Sequence, residues 1–273
     1  MDREALIFLH IPKTAGTTLN RIIEWQYSPF AIFTMDPYRI RATPERLKRL
    51  PEGRRRRLRV VRGHLFYGIH ECLPQGATYI TMLRDPVPRA LSAYYFILRR
   101  PLHPLHWKLK REGLRVEDCL RLFPQRHNLQ CRLIAGVKDT AIADKRLLDI
   151  AKENLTRSFS VVGISERFDE SLMLIATTFD WEIPLYKNCK VSKARPQIDP
   201  GTVEMIRDHN RLDVELYEFG KGLFEESLQK KEAAVREGLA ALRALPTRGA
   251  VEGFCKSTLG AGRFFVNKIA SAV

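Results

Sequence analysis

No run of eighteen apolar residues occurs anywhere in the chain, so no segment reads as a membrane-spanning helix. The five cysteines (72, 119, 131, 189 and 255) are odd in number and share no C-x-x-C spacing. That argues against a zinc site or a disulfide framework and for reduced thiols. The opening residues, MDREALIFLH, contain acids and only a five-residue apolar run, which does not fit a secretory signal. A cytoplasmic chain is therefore expected. Internal repeats and low-complexity tracts are absent too. So is the Walker A pattern, in which lysine follows the second glycine and immediately precedes Ser or Thr. No apolar strand ends in aspartate in the Walker B manner. What remains is a chain of 273 residues, 45% hydrophobic, long enough to bury the core of one large α/β domain.

Charge is plentiful and of one sign. The net charge is +15, and two segments hold nearly all of it. Residues 39–62 carry eleven Lys/Arg against two Glu, including RRRR at 54–57, and residues 99–115 carry six against Glu112. Such patches attract polyanions: nucleic acid, acidic lipid headgroups, or sulfated and carboxylated glycans. A solvated basic face without a partner fits the same composition.

Strands buried on both faces are expected at 5–9 (ALIFL), 58–63, 78–83 and 159–164. Helical patterns lie at 17–26, 44–50, 87–99, 115–134, 143–157 and 167–179, with a long helical stretch from about 201 to 245. Strands alternating with helices imply an α/β fold, a P-loop-like three-layer α/β/α with a mainly parallel central sheet. Ligands of such sheets bind beyond the carboxyl ends of the strands. Polar residues gather there: Lys13 after the first strand, Arg62 and His64 after the second, Arg84 and Asp85 after the third.

Three stretches at those ends carry chemistry. In HIPKTAGTTL the strand gives way to Lys13, Thr14, Ala15, Gly16, Thr17 and Thr18, and then a helix begins. A helix N-terminus is electropositive, and small residues let an anion reach its backbone N–H groups. The stretch reads as a phosphate cradle, although a plain strand-to-helix turn with threonine caps uses the same residues. In LRDPVPRALSAYY, Asp85 suits the N-cap and Pro86 the first helical position. Arg89 and Ser92 share a helix face with Arg84 at the strand tip, and an arginine fork with a serine hydroxyl can hold a second phosphate. An arginine paired with Asp85 is the structural alternative. In VVRGHLFYGIH, His64 stands at a strand end after Gly63, and neutral histidine is the side chain best suited to take a proton near neutral pH.

Together these stretches resemble the sulfotransferases that use 3′-phosphoadenosine 5′-phosphosulfate, in particular the group containing heparan sulfate 2-O-sulfotransferase and its bacterial relatives. HIPKTAGTTL is similar to that family's 5′-phosphosulfate cradle, LRDPVPRALSAYY to its 3′-phosphate site and RGHLFYGIH to its histidine segment. Weaker echoes follow in NLQCRLIAG, VGISERFDESLMLI, KVSKARP and NRLDVELYEFGK, so the resemblance runs from about residue 5 to 225 in the family's order. It implies a sulfotransferase domain over residues 1–230, followed by a helical or flexible tail over 231–273.

The resemblance also implies roles. Lys13 contacts the phosphosulfate near its bridging oxygen, with Thr14, Ala15, Gly16, Thr17 and Thr18 around the 5′-phosphate. Arg84 and Ser92 bind the 3′-phosphate, His64 deprotonates the acceptor hydroxyl, and Ser192, Lys193 and Arg195 belong to a loop closing on the nucleotide. One departure stands out: the heparan enzyme has a second histidine two positions before its base, where this chain has Arg62. His70 is a candidate for lining the acceptor site, with a structural role as the alternative. Sulfuryl transfer needs alignment and charge stabilisation more than covalent help, so no metal is required. The expected partners are the phosphosulfate donor and an anionic or polar hydroxyl-bearing acceptor, a saccharide or glycan. Peripheral membrane contact through the basic patches or the tail is a further expectation. Two rival readings are a P-loop-type kinase and a basic nucleic-acid-binding protein. The first is opposed by lysine preceding glycine, the second by a basic run without interleaved aromatics.

Overall fold

The run Ala5–Leu9 has no polar side chain, and it forms the first strand, β1, with all five residues buried. In the computed structural model, which describes residues 4–35, 43–138, 144–182 and 198–244, this strand is the centre of the sheet. Helix α1 (Gly16–Gln26) carries the chain back to the short strand β2 (Ile32–Thr34). Helices α2 (Thr43–Lys48) and α3 (Glu52–Arg56) precede β3 (Val60–Gly63), and β4 (Ala77–Leu83) follows. Then come α4 (Pro86–Leu98), α5 (His106–Arg111), α6 (Val116–Leu122), α7 (Leu129–Ala135) and α8 (Asp144–Ser158). The last strand, β5 (Phe159–Ile164), is followed by α9 (Phe168–Phe179), α10 (Pro200–His209), α11 (Arg211–Lys230) and α12 (Glu232–Ala244).

All five strands run parallel, in the order β2-β3-β1-β4-β5. Helices cover both faces. Gly220 of α11 lies so near β4 and β5 that a Cβ there would stand 2.3 Å from Leu83 and 3.5 Å from Val162. The next strand residue, Gly163, points the other way, toward Ser171 of α9. The expected three-layer α/β/α architecture with a parallel sheet is therefore present.

Several expected elements divide. The helical pattern of 115–134 becomes α6 and α7, because Pro124 cannot continue a helix and starts a single 3-10 turn instead. The long stretch from 201 breaks into three helices, at Asn210 and Lys231. Beyond residue 230, α12 lies on α9, with Val235 buried and Gly238 against Met173. Residues beyond 244 lie outside those described.

The break at Asn210 serves a buried polar cluster. Asp213, 0% exposed, accepts from Arg89 Nη2 at 3.4 Å and from the N–H groups of Gln130 at 3.1 Å and Cys131 at 2.8 Å. Burial pushes the Asp213 carboxyl up and the Arg89 guanidinium down from their ordinary values, and each opposes the other's shift. Asn210 Oδ1 accepts from Arg89 Nη2 and from the Asn128 N–H. The cluster thus joins α4, α7, α10 and α11. Removing one member of such a pair leaves a buried charge uncompensated, at about 3–5 kcal/mol. Arg89→Ala should lower unfolding stability by that amount in urea titrations; a loss below about 1 kcal/mol would show that the pair does not hold these helices.

Candidate functional site

The loop between β1 and α1 is held in a conformation that non-glycine residues avoid. Lys13 has φ 74° and Ala15, the N-cap of α1, has φ 61°. Left-handed backbone costs an ordinary residue on the order of 1–2 kcal/mol. Short left-handed insertions of this kind make the concave N–H nests that bind anions, here directly before a helix N-terminus. Gly16 opens the helix. A Cβ at that position would lie 2.1 Å from the His10 ring, so only glycine fits beneath it. The Thr14 hydroxyl is committed elsewhere: it is buried and donates to the Ile11 carbonyl at 2.9 Å. Its side chain therefore braces the loop, which leaves the backbone as its means of meeting a phosphate. Thr18 is buried in the first turn of α1 and Thr17 is half-buried.

Arg84, at the tip of β4, is tied to this loop. Its Nη1 donates to the Lys13 carbonyl at 2.9 Å, and Glu166 stands 3.7 Å from its Nε. Gln130 grips its backbone from both sides, accepting from the Arg84 N–H at 3.0 Å and donating to the Arg84 carbonyl at 2.8 Å. Asp85 caps α4 as its sequence position suggests, accepting from the Val87 N–H at 2.8 Å. Neither Asp85 nor a phosphate is the partner of Arg89, which is spent on Asp213. Ser92 is buried on α4, one turn before Phe96 and hence on the same face. That face meets the cradle, because the Lys13 ammonium lies 4.3 Å from the Phe96 ring centre.

His64 lies on the other side of the cradle. Its Nδ1 donates to the His10 carbonyl at 2.7 Å, and the two imidazole rings sit 4.5 Å apart. A carbonyl can only accept, so the proton of the neutral ring is on Nδ1 and the lone pair on Nε2. Burial holds the His64 pKa below the ordinary histidine value, against the raising effect of that hydrogen bond. The ring is thus kept in the form that can take a proton.

His10 is the residue that reasoning from sequence did not single out. Its ring covers Gly16, accepts from Asn20 Nδ2 at 3.2 Å and stacks on Phe8 at 5.3 Å. The available signal was a histidine closing a wholly buried strand right at the carboxyl edge. Arg62 is not a second site residue. It turns to α1 and β2, donating to Glu24 at 2.6 Å, the Asn20 carbonyl at 2.7 Å and Thr34 at 3.2 Å. His70 is also separate from His64: its Nδ1 is bound to the Tyr79 hydroxyl at 2.8 Å, beside the amino end of β4. Its place is structural. Ser192, Lys193 and Arg195 lie outside the described residues.

The two basic segments part company. Arg100 shares the Phe96 ring with Lys13, its guanidinium 5.2 Å from the ring centre, so the segment from Arg99 adjoins the cradle. Arg54 to Arg57 lie instead on and just after α3, at the amino end of β3. Four residues of strand thus separate the RRRR run from the carboxyl edge.

A family model described as galactose-3-O-sulfotransferase matches residues 1–255. Heparan-sulfate 6-O-sulfotransferase 1-B of Danio rerio is 27% identical over 198 residues, covering 60% of this chain and 48% of the relative. Heparan-sulfate 6-O-sulfotransferase 2 of Gallus gallus is 26% identical over 280 residues, covering 83% and 68%. Heparan sulfate 2-O-sulfotransferase 1 of Xenopus laevis is 24% identical over 167 residues, covering 54% and 47%. The chain spans about half the length of most of the curated relatives it matches.

The protonation state of His64 is directly measurable. Nitrogen-detected NMR should show His64 as the Nδ1–H tautomer, titrating below the ordinary value of about 6.5. A depressed folded value also links to stability. The contribution of His64 is complete above about pH 6.5 and is lost as pH falls from there toward the folded value. An Nε2–H tautomer would refute the assignment of the lone pair, and titration above about 6.5 would refute the prevailing effect of burial.

Proposed function

The chain belongs to the galactose-3-O-sulfotransferase family, and from that premise we propose that it transfers a sulfuryl group from 3′-phosphoadenosine 5′-phosphosulfate to a hydroxyl of a saccharide acceptor. The observation that carries this reading is the His64 ring fixed by the His10 carbonyl, at the strand edge that also presents the Lys13 loop. The resident groups suit such a donor. Left-handed Lys13 and Ala15 with the start of α1 form an anion-binding bend, and Lys13 and Arg84 bring two cations to it.

His64 Nε2 takes the proton of the acceptor hydroxyl as its oxygen bonds to sulfur. The bond from sulfur to the 5′-phosphate oxygen breaks, and 3′-phosphoadenosine 5′-phosphate leaves with the extra charge. Lys13 and the positive end of α1 stabilise that charge where it develops. To do so the Lys13 ammonium leaves the Phe96 face, a contact worth about 0.5–1 kcal/mol at an exposed site and easily replaced by an ionic one. Arg84 and Ser92 hold the 3′-phosphate, and Ser192, Lys193 and Arg195 remain assigned to the closing loop. The acceptor is a saccharide of the heparan sulfate kind. The 2-O grouping expected from sequence widens here, since 6-O enzymes stand beside a 2-O enzyme among the relatives. Arg99 and Arg100 beside the cradle supply the positive field for an anionic acceptor.

Four measurements test the reading. His64→Ala should cut kcat about 10²–10⁴-fold, the usual worth of a positioned base, while the Kd for 3′-phosphoadenosine 5′-phosphate stays near wild type. A folded variant with wild-type kcat would remove His64 from the chemistry. The wild-type rate should decline only below about pH 6.5, because burial moves the inflection under the ordinary histidine value. Arg84→Ala should weaken 3′-phosphoadenosine 5′-phosphate more than adenosine 5′-phosphosulfate, by about 1.5–3 kcal/mol for one charge-assisted contact. Equal weakening would place Arg84 away from the 3′-phosphate. Thermal stabilisation by ATP with magnesium and not by 3′-phosphoadenosine 5′-phosphate would overturn the donor itself.

A further inference from the structure

The amino edge of the sheet, opposite His64 and Lys13, carries a surface that the proposed reaction does not use. Arg54, Arg56 and Arg57 are exposed there. Their helix is pinned at the edge by Gln75, which donates to the carbonyls of Arg55 and Leu58 at 3.0 Å each. The edge strand β2 starts at the same level, Ile32 beside Val60, and the Arg59 N–H donates to the Ala31 carbonyl at 2.8 Å. Immediately before Ala31 stands Phe30, 77% exposed, after the exposed Pro29. Helix α1 descends to this edge as well and ends near Trp25, 45% exposed.

Two of the acidic groups here are paired, while Glu4, beside Gly76, and Glu71, next to Cys72, are exposed. Glu52 pairs with Arg56 at 2.6 Å, and Glu24 with Arg62 at 2.6 Å. Glu182 is exposed, with its carbonyl bound by the Gln26 side chain. Arginines alone would suit any polyanion, but a phenylalanine and a tryptophan in water beside them gain nothing from a sulfated chain's charge. A bilayer with acidic headgroups satisfies both at once: aromatic rings settle at the interfacial level while the guanidinium groups meet the negative surface.

We propose that the edge formed by Trp25, Phe30, Arg54, Arg56 and Arg57 docks the protein on an acidic lipid surface. Docked so, the carboxyl edge with His64 and Lys13 faces away from the bilayer, toward solvent-borne acceptor. The inference stands apart from the proposed reaction, because none of these side chains belongs to the site.

The test is cosedimentation of the full chain with phosphatidylcholine vesicles, with and without phosphatidylserine. Binding should require phosphatidylserine and weaken as salt rises. Phe30→Ala and the pair Arg54→Glu/Arg57→Glu should each lower vesicle partitioning about tenfold or more, with circular dichroism unchanged. Nucleotide binding measured without vesicles should be unaffected. Wild-type protein that ignores the vesicles overturns the proposal. So does wild-type binding that both variants retain. A chain that binds soluble sulfated glycan through Arg54 and Arg57, with no loss in Phe30→Ala, would assign the edge to a polyanion instead and equally overturn it.

Discussion

A single buried carboxylate organises the candidate site without touching it. Asp213 accepts from Arg89 and from the N–H groups of Gln130 and Cys131, and Gln130 then holds both backbone groups of Arg84. The strand tip is thus set by a chain of hydrogen bonds that starts on a helix 129 positions later in the sequence. Buried charge of this kind is costly unless every lone pair is used, and here three donors converge on one carboxyl group. The arrangement explains why α10 stops where it does. Asn210 must leave the helical path to offer Oδ1 to Asn128 and Arg89, and a continuous helix from 200 to 230 would bury that side chain elsewhere.

The same economy of contacts shapes the histidine side of the site. The His10 carbonyl sets the tautomer of His64, while the His10 ring lies on Gly16, the first residue of the helix that borders the Lys13 loop. His64 and the loop therefore share one support. Two forces act on the His64 ring in opposite directions: burial disfavours the charged form, and the carbonyl favours it. Burial prevails, which keeps the lone pair on Nε2 ready at neutral pH, yet the retained hydrogen bond stabilises the imidazolium once a proton arrives. A ring buried without that carbonyl would be a poorer acceptor.

Much of the arrangement was legible in the sequence, for reasons that can be stated residue by residue. ALIFL is a strand as read because a central parallel strand needs apolar residues on both faces, and FSVVGI forms the edge strand β5 with its last four residues buried. Asp85 and Pro86 start α4 because an N-cap and a donor-free first residue are local requirements. The loop at Lys13, the tip at Arg84 and the turn at His64 gather because all three follow strands of one parallel sheet. Long-range pairing was not legible. Nothing local says that Arg89 meets Asp213 and not Asp85, or that Arg62 reaches Glu24. The three-residue strand β2 carries too little pattern to be found, and the Thr14 hydroxyl faces inward for reasons of loop geometry alone.

Net charge illustrates the limit most clearly. Two segments with the same sign of charge read alike along the chain, and each suggests a polyanion. Topology separates them. A segment that follows a helix begun at a strand's carboxyl end, as Arg99 and Arg100 follow α4, can fold back on the loops of that edge, and Phe96 is the ring on which it does so. A segment that leads into a strand, as Arg54 to Arg57 lead into β3, is delivered to the amino edge whatever its charge. The field of the first acts on groups within a Debye length, about 8–10 Å in physiological salt, and so on Lys13 and its neighbours. The field of the second is screened from the site by the length of the sheet. A count of arginines therefore gives the sign of the field, and only the direction of the adjoining strand says at which edge it acts.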